Sequence, residues 1–529
     1  MKKRNKIGFV TILAGLTIAI GFNIYNNYAD SIKSKSSYDE PIVVNNNLDT
    51  SIPFGNDFIL NSNFSTHLPL VVINTEGAEI PSNSKWNEEL KRFVSISGIE
   101  PYVDGSISVI DNGEINKLKD TPTNYSKIKI KRRGNSSMHY NKGQYLVKLV
   151  TESGQENGLS LLGMGEDNEW VLNGSMADKS MMRNYLGYRI ASQIMPYTPD
   201  AKYCEVVTEE NGKYKYEGVY LLIENIKQGT DRVNIASYQK SKSYSSYILR
   251  RDRFDEENIM IDTYESNSKL SDGYLGVVYP SKNNVTDETV DYIKNDIEKL
   301  EEVLYSDSYN IFSTYSDYID VDSFINYALI NEYFGNYDAG YHSTYMYKDI
   351  KGKLKMGPVW DYDQSIDNSR PDPMEIDKIA FIEAPWFKQL MRDPKFVEKL
   401  ASRYAELRRN QLSDKNILKT IDEVQGYLGA AQRREWSRWE KAYYLGKTAL
   451  PTYIDSDGDT IHRESKEYEQ EIYKLKTVLS KHGQAISEEL PKYKSDDIVK
   501  AEDKSIKNGL LIILFLGSFF TAIIYARRR

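Results

Sequence analysis

The sequence predicts an α+β fold, an antiparallel sheet followed by helices that surround an acidic hairpin. Three observations carry this. Between residues 68 and 280, runs such as LPLVVINT, SISVID, YSKIKIKRRG and YEGVYLLIENI alternate apolar and polar side chains with the period of a strand. From residue 286 onward, apolar residues recur at helical spacing on charged segments. Joining the two regimes, residues 331–368 (NEYFGNYDAGYHSTYMYKDIKGKLKMGPVWDYDQSIDN) read as a small-residue turn, a β-hairpin and an acidic strand end.

Composition bounds the partners. The chain has 529 residues, enough for more than one domain, and a net charge of -8, which argues against a polyanion such as nucleic acid. Its single cysteine, Cys204, makes no internal disulfide and reads as a small buried residue.

The ends come first in chain order. Lys2, Lys3, Arg4 and Lys6 precede an uncharged run, residues 7–25, and Arg527, Arg528 and Arg529 close a second, residues 509–526. Each run is close to the length that crosses a bilayer, so residues 1–26 are expected to form a transmembrane helix or uncleaved signal anchor, with a cleaved signal peptide as the competing reading, and residues 509–526 a second span. Basic clusters at both extreme ends place both termini in the cytoplasm. The expectation is an integral, two-span protein of the cell membrane whose main domain is extracytoplasmic. Residues 27–67 and 491–508, polar and without apolar periodicity, read as linkers, leaving 68–490 as the folded domain.

Within that domain the strand KIKIKRRG leads through RRGNSS, with Arg133, to the strand QYLVKL, with Lys148. Strand, glycine-containing polar loop and a strand with an inward lysine can cover a phosphate, the lysine acting as a point charge. Residues 161–195 show helical spacing, with Asp178 placed to cap the start. The strands KYCEVV and YEGVYLLIENI follow, Glu224 ending the second, and then SYILRRDR and YLGVVYP as a further pair. Helices are expected over 286–304, 321–334, 386–412, 414–445 and 464–489, many of them laced with i, i+4 charge pairs.

The acidic hairpin carries the chemistry. Phosphoryl transfer needs one carboxylate to meet an attacking hydroxyl and another, held apart from it, to bind the divalent cation that neutralises the phosphates. Asp338 in the turn, and Asp361 with Asp363 beyond the hairpin, supply that layout. The competing account is structural: Asp338 capping a turn and the other two ending a strand.

The segments KIKIKRRGNSS, QYLVKL, EWVLNGSMADKSMMRNYLGYRIA, YEGVYLLIENIK, FINYALINEYFGNYDAG and GKLKMGPVWDYDQSIDN together resemble the CotH family, the spore coat protein H-like atypical protein kinases, over residues 68–490. The resemblance implies an atypical protein-kinase-like fold with a sheet-built N-terminal lobe and a helical C-terminal part. It implies ATP and Mg2+ (or Mn2+) as cofactors, and transfer of phosphate to serines of protein substrates of the spore coat or cell envelope. It places Asp338 as the catalytic aspartate, Asp361 as the metal ligand with Asp363 as a second, and Lys148, Arg133 and Glu224 as nucleotide-binding residues. Many members carry an Asn shortly after the catalytic Asp; here His342 and Ser343 stand there, which puts a second metal in question. A non-enzymatic surface or envelope-assembly protein that keeps the fold is the alternative.

Overall fold

The computed structural model describes residues 54–493, except 83, 90–91, 97–100, 256–257, 271–272, 370–371, 446–447, 455–457 and 459, together with Ser36, Tyr38 and Ile42. The chain divides into two compact units: one from residues up to 176 with 188–234 and 425–440, the other from 177–187, 235–424 and 441 onward.

The first unit is built on a closed barrel. Its strands are β1 (Leu70–Asn74), β2 (Val103–Ile110), β3 (Asn124–Arg132), β4 (Tyr145–Val150), β5 (Glu169–Asn173), β6 (Ala201–Glu210) and β7 (Lys213–Glu224). They neighbour one another in the order β6-β7-β5-β4-β3-β2-β1, and the ring closes where β1 runs parallel to β6 through Glu205 and Leu70. The remaining pairs are antiparallel. The alternation in β3 shows why: Ser126, Ile128 and Ile130 are buried while Lys127 and Lys129 are not. Ile128, Ile130, Val147, Leu149, Trp170, Leu172, Cys204, Val206 and Leu222 fill one core, each aliphatic side chain contributing about 1.5–3 kcal/mol on burial. Closure leaves no unpaired strand edge, a solution that alternation alone does not distinguish from an open sheet.

Three sequence expectations change here. Residues 169–173, expected to be helical, form strand β5, because the barrel buries this aromatic and branched run on both sides. Lys148 does not point inward: Val147 and Leu149 fill the core and Lys148 lies half-buried on the other face of β4. Phe64, within the stretch read as a linker, packs with Leu60, Leu70, Ile110, Val207 and Tyr216.

Residues 425–440 are fastened to the barrel by two buried ion pairs. Arg434 donates from Nε and an Nη to the two carboxylate oxygens of Glu205, both at 2.7 Å. Lys142 Nζ donates to Glu435 at 2.7 Å, and Glu435 accepts from the Val219 N–H at 2.8 Å. Gly218 (φ 117°) makes room, since a Cβ there would come within 2.2 Å of Glu435.

The second unit holds a five-stranded sheet and most of the helices. The strands are β8 (Tyr247–Asp252), β9 (Ile259–Ile261), β10 (Tyr274–Tyr279), β11 (Thr344–Lys348) and β12 (Lys355–Met356), ordered β9-β10-β8-β11-β12. The acidic hairpin is therefore no free-standing ribbon; β11 pairs with β8 from Tyr247↔Lys348 to Arg251↔Thr344. The helices of six residues or more are α1 (Arg183–Ala191), which begins in this unit, α2 (Asp287–Leu304), α3 (Val321–Phe334), α4 (Pro385–Leu390), α5 (Pro394–Arg409), α6 (Asp414–Tyr443), whose residues 425–440 belong to the first unit, and α7 (Tyr468–Glu489). Side-chain caps start several of them: Thr286 on α2, Asp320 on α3, Asp393 on α5 and Ser413 on α6. Asp393-Pro394 separates α4 from α5 where one helix was expected.

The flanking transmembrane helices are corrected. No helix among the described residues is long and apolar enough to cross a membrane, and runs 7–25 and 509–526 lie outside the described residues. The described fold is α+β, the two flanking helices are not supported, and the integral, two-span attachment is withdrawn with them.

Candidate functional site

Helix α3 delivers Asp338. It ends at Gly335, whose left-handed backbone (φ 58°) stops the helix, and Asn336 then donates its N–H to the Asn331 carbonyl at 2.9 Å. The Asp338 carbonyl accepts from Tyr341 (3.1 Å) and His342 (2.8 Å), closing the turn. Thr344 Oγ1 accepts from the Gly340 N–H at 2.6 Å, and Arg251 donates to the Gly340 carbonyl at 3.0 Å. The turn is thus held by backbone groups, Thr344 and Arg251. Among the described residues no donor engages the half-buried Asp338 carboxylate, which leaves it available to a hydroxyl.

Asp361 follows the hairpin but ends no strand. After the two-residue β12 the chain turns through Gly357-Pro358 into an irregular loop, with Asp361 in the left-handed region (φ 64°). Ser343 is left-handed too (φ 48°), and its hydroxyl donates to Asp361 Oδ2 at 3.2 Å. Two strained non-glycine residues in contact mark a site that the surrounding structure holds against its local preference. Asp363 is buried, 7% exposed, with Oδ1 accepting from the side-chain amide of Asn184. Hydrogen bonds from His342 to Asp338 and from Ser343 to Asp361 therefore tie the two halves of the acidic hairpin together.

Asp361, Asp363 and Ser343 are hard oxygen donors of the kind Mg2+ takes, and Mg2+ is commonly held by one or two carboxylates with the remaining positions filled by water and phosphate. Ser343 already lies within hydrogen-bond reach of Asp361, so the residues present fit such an ion. Among the described residues no cluster of three or more His, Cys, Asp or Glu is placed to hold a metal.

In the barrel unit Lys148 pairs with Glu169 Oε1 at 3.0 Å, its directly opposed partner across β4 and β5. Burial alone would lower the lysine pKa, but the Glu169 carboxylate more than offsets it and the net shift is upward. Glu224 is not the lysine's partner. It accepts from Arg232 at 2.6 Å, the Asp200 N–H at 3.0 Å and the Tyr197 hydroxyl at 3.3 Å, and burial pushes its carboxyl up to about 8 against the pull of Arg232. It lines a cavity of about 380 Å³ with Asp200, Glu166 and Asp231. Asn225 donates to Glu169 at 2.9 Å, and Asp167, which accepts from the Glu169 N–H at 2.8 Å and lies 3.7 Å from Arg232, joins the two pairs into one polar strip. The Arg133 N–H donates to the Gln144 carbonyl at 2.9 Å, spanning the base of the RRGNSS loop.

Sequence reasoning missed Glu169, Arg232 and Asn184. Glu169 was readable as the polar start of a strand once EWVLN is taken as one; for Asn184, buried in α1, the one-dimensional pattern carries no signal.

A family model described as CotH kinase protein matches residues 130–486 of the chain. No curated protein matches it.

Proposed function

The chain belongs to the CotH kinase protein family, and from that premise we propose that it transfers the γ-phosphoryl group of ATP to a serine hydroxyl of a protein substrate. What supports the reading is an unengaged carboxylate at Asp338 tied, through His342 and Ser343, to a strained metal-ligand candidate at Asp361.

In this reading Asp338 accepts the proton of the attacking serine hydroxyl as its oxygen bonds to the γ-phosphorus. The bond from that phosphorus to the bridging oxygen breaks and ADP leaves. Asp361 and Asp363, with the Ser343 hydroxyl, would hold the divalent cation, which when bound neutralises phosphate charge. Arg133, Lys148 and Glu224 are the nucleotide-binding positions the resemblance implies. Among them Lys148 is the phosphate-directed cation, with Glu169 as the carboxylate that keeps it charged and oriented. Glu224 acts on the neighbouring strip through Arg232.

The test is transfer of label from γ-labelled ATP by the full-length protein to a serine-containing protein or to itself, with Mg2+ or Mn2+ and with neither. Metal-dependent phosphoserine, lost in Asp338→Asn, is the expected result. Absence of nucleotide binding at every metal concentration would overturn the reading.

A further inference from the structure

We propose that Asn184 is a positioning residue for the metal-binding loop, acting through the backbone and carboxylate of the two residues that follow Asp361. The inference rests on the kinase reading above and adds a residue to it.

Asn184 is 1% exposed, in the first turn of α1. Its Oδ1 accepts from the Tyr362 N–H at 2.7 Å and its Nδ2 donates to Asp363 Oδ1. Both ends of one amide are thus spent on successive residues, and only one orientation of the amide satisfies an N–H on one side and a carboxylate on the other. The neighbour, Arg183, donates to the carbonyls of Ser365 (2.8 Å) and Ile366 (3.1 Å). It is itself fixed by Asp178 at 2.6 Å and Glu471 at 2.8 Å. One turn on, Gly187 lets the Tyr362 ring approach; a Cβ there would come within 2.6 Å of it.

The loop needs this support. Asp361, Ile366 and Asp367 all have positive φ (64°, 54° and 52°), a conformation that persists only where surrounding contacts over-determine it. A neutral amide suits the task better than a carboxylate would. It donates to Asp363 without adding a third negative charge beside Asp361. Residues that orient a metal's carboxylates in this way typically change metal affinity by about 10–100-fold when removed.

The experiment measures Mn2+ binding to the full-length protein by the paramagnetic signal of the free ion, with a non-hydrolysable ATP analogue present, alongside the melting temperature without metal. Asn184→Ala is expected to raise the Mn2+ Kd about 10–100-fold, with turnover returning toward the parental value at saturating metal. On an Asp363→Asn background the same substitution should raise the Kd by a smaller factor, because one of its two routes to the ion, the Asp363 carboxylate, is already removed. Should Asn184→Ala not fold, Asn184→Asp, which keeps the acceptor for the Tyr362 N–H and loses the donor to Asp363, takes its place. A parental Kd in a folded variant, or a lowered melting temperature with unchanged Kd, overturns the positioning role while the kinase reading stands. A parent that binds no Mn2+ overturns both.

Discussion

The Ser343 hydroxyl donates to Asp361 Oδ2 at 3.2 Å, and both residues have left-handed backbones. The contact places one of the two residues, His342 and Ser343, that stand where the resemblance expects Asn directly on the proposed metal ligand. Asn tolerates the left-handed region better than Ser and offers an amide oxygen to a hard cation.

Ser343→Asn should therefore lower the Mg2+ concentration for half-maximal transfer without lowering the melting temperature, and Ser343→Ala should raise that concentration. Metal titrations of initial rate on the three proteins check this; identical titrations would remove Ser343 from the site.

The two aspartates should separate kinetically. Asp338→Asn removes only the acceptor for the substrate proton, so turnover should fall about a hundredfold or more while nucleotide affinity stays near parental. Asp361→Asn should instead abolish the metal dependence of nucleotide binding. Calorimetry with and without Mg2+, set beside initial rates, distinguishes them, and parental behaviour in both variants would refute the assignment.

What could be read from sequence follows from which interactions are local. The alternation of YSKIKIKRRG survives as β3, and α3 spans the expected 321–334, opened by the Asp320 cap and closed at Gly335, because pleat, cap and turn are properties of adjacent residues. The closure of β1 on β6 joins residues more than a hundred positions apart, and no periodicity encodes it. The site divides the same way. Asp338, Asp361 and Asp363 stand out as acids around a turn pattern, whereas the Lys148–Glu169 pair depends on a strand register, and Asn184 reaches Asp363 from a helix 179 positions away.

The Glu205–Arg434 pair should carry much of the attachment of residues 425–440 to the barrel. Both side chains are almost wholly buried, with Tyr216 and Thr66 completing their hydrogen bonds. Arg434→Met strands a buried carboxylate and should destabilise by about 3–5 kcal/mol, whereas Glu205→Met with Arg434→Met should recover most of that loss. Burial opposes ionisation of Glu205, but Arg434 more than offsets it and holds the carboxyl below its ordinary value. The pair's contribution is then present above the unfolded carboxyl pKa near 4.5 and lost as pH falls through the lower folded value. Denaturant midpoints of parent and variants, measured from neutral to acid pH, test both statements.

His482 should make the second unit's stability depend on pH in the opposite sense. Its Nδ1 faces the Ile376 carbonyl at 2.7 Å and its Nε2 the Glu332 carbonyl at 2.8 Å. Two carbonyl acceptors can both be satisfied only by the imidazolium, and the Glu332 carboxylate 3.5 Å away balances its charge. Burial alone would lower the pKa, yet Glu332 and the two carbonyls outweigh it and the net shift is upward from 6.5. The fold therefore binds the proton more tightly than the unfolded chain does. The stabilisation is fully present below about pH 6.5 and disappears as pH rises through the folded value. His482→Leu should consequently lose most stability relative to the parent near pH 6, with the gap narrowing toward pH 9. Because Glu332 sits at the end of α3 and also accepts the Phe381 N–H at 2.7 Å, the loss should reach the helix that delivers Asp338. Hydrogen exchange of α3 amides in parent and variant at the two pH values reads this directly, and a gap that does not change between pH 6 and 9 would show that the ring is neutral in the fold.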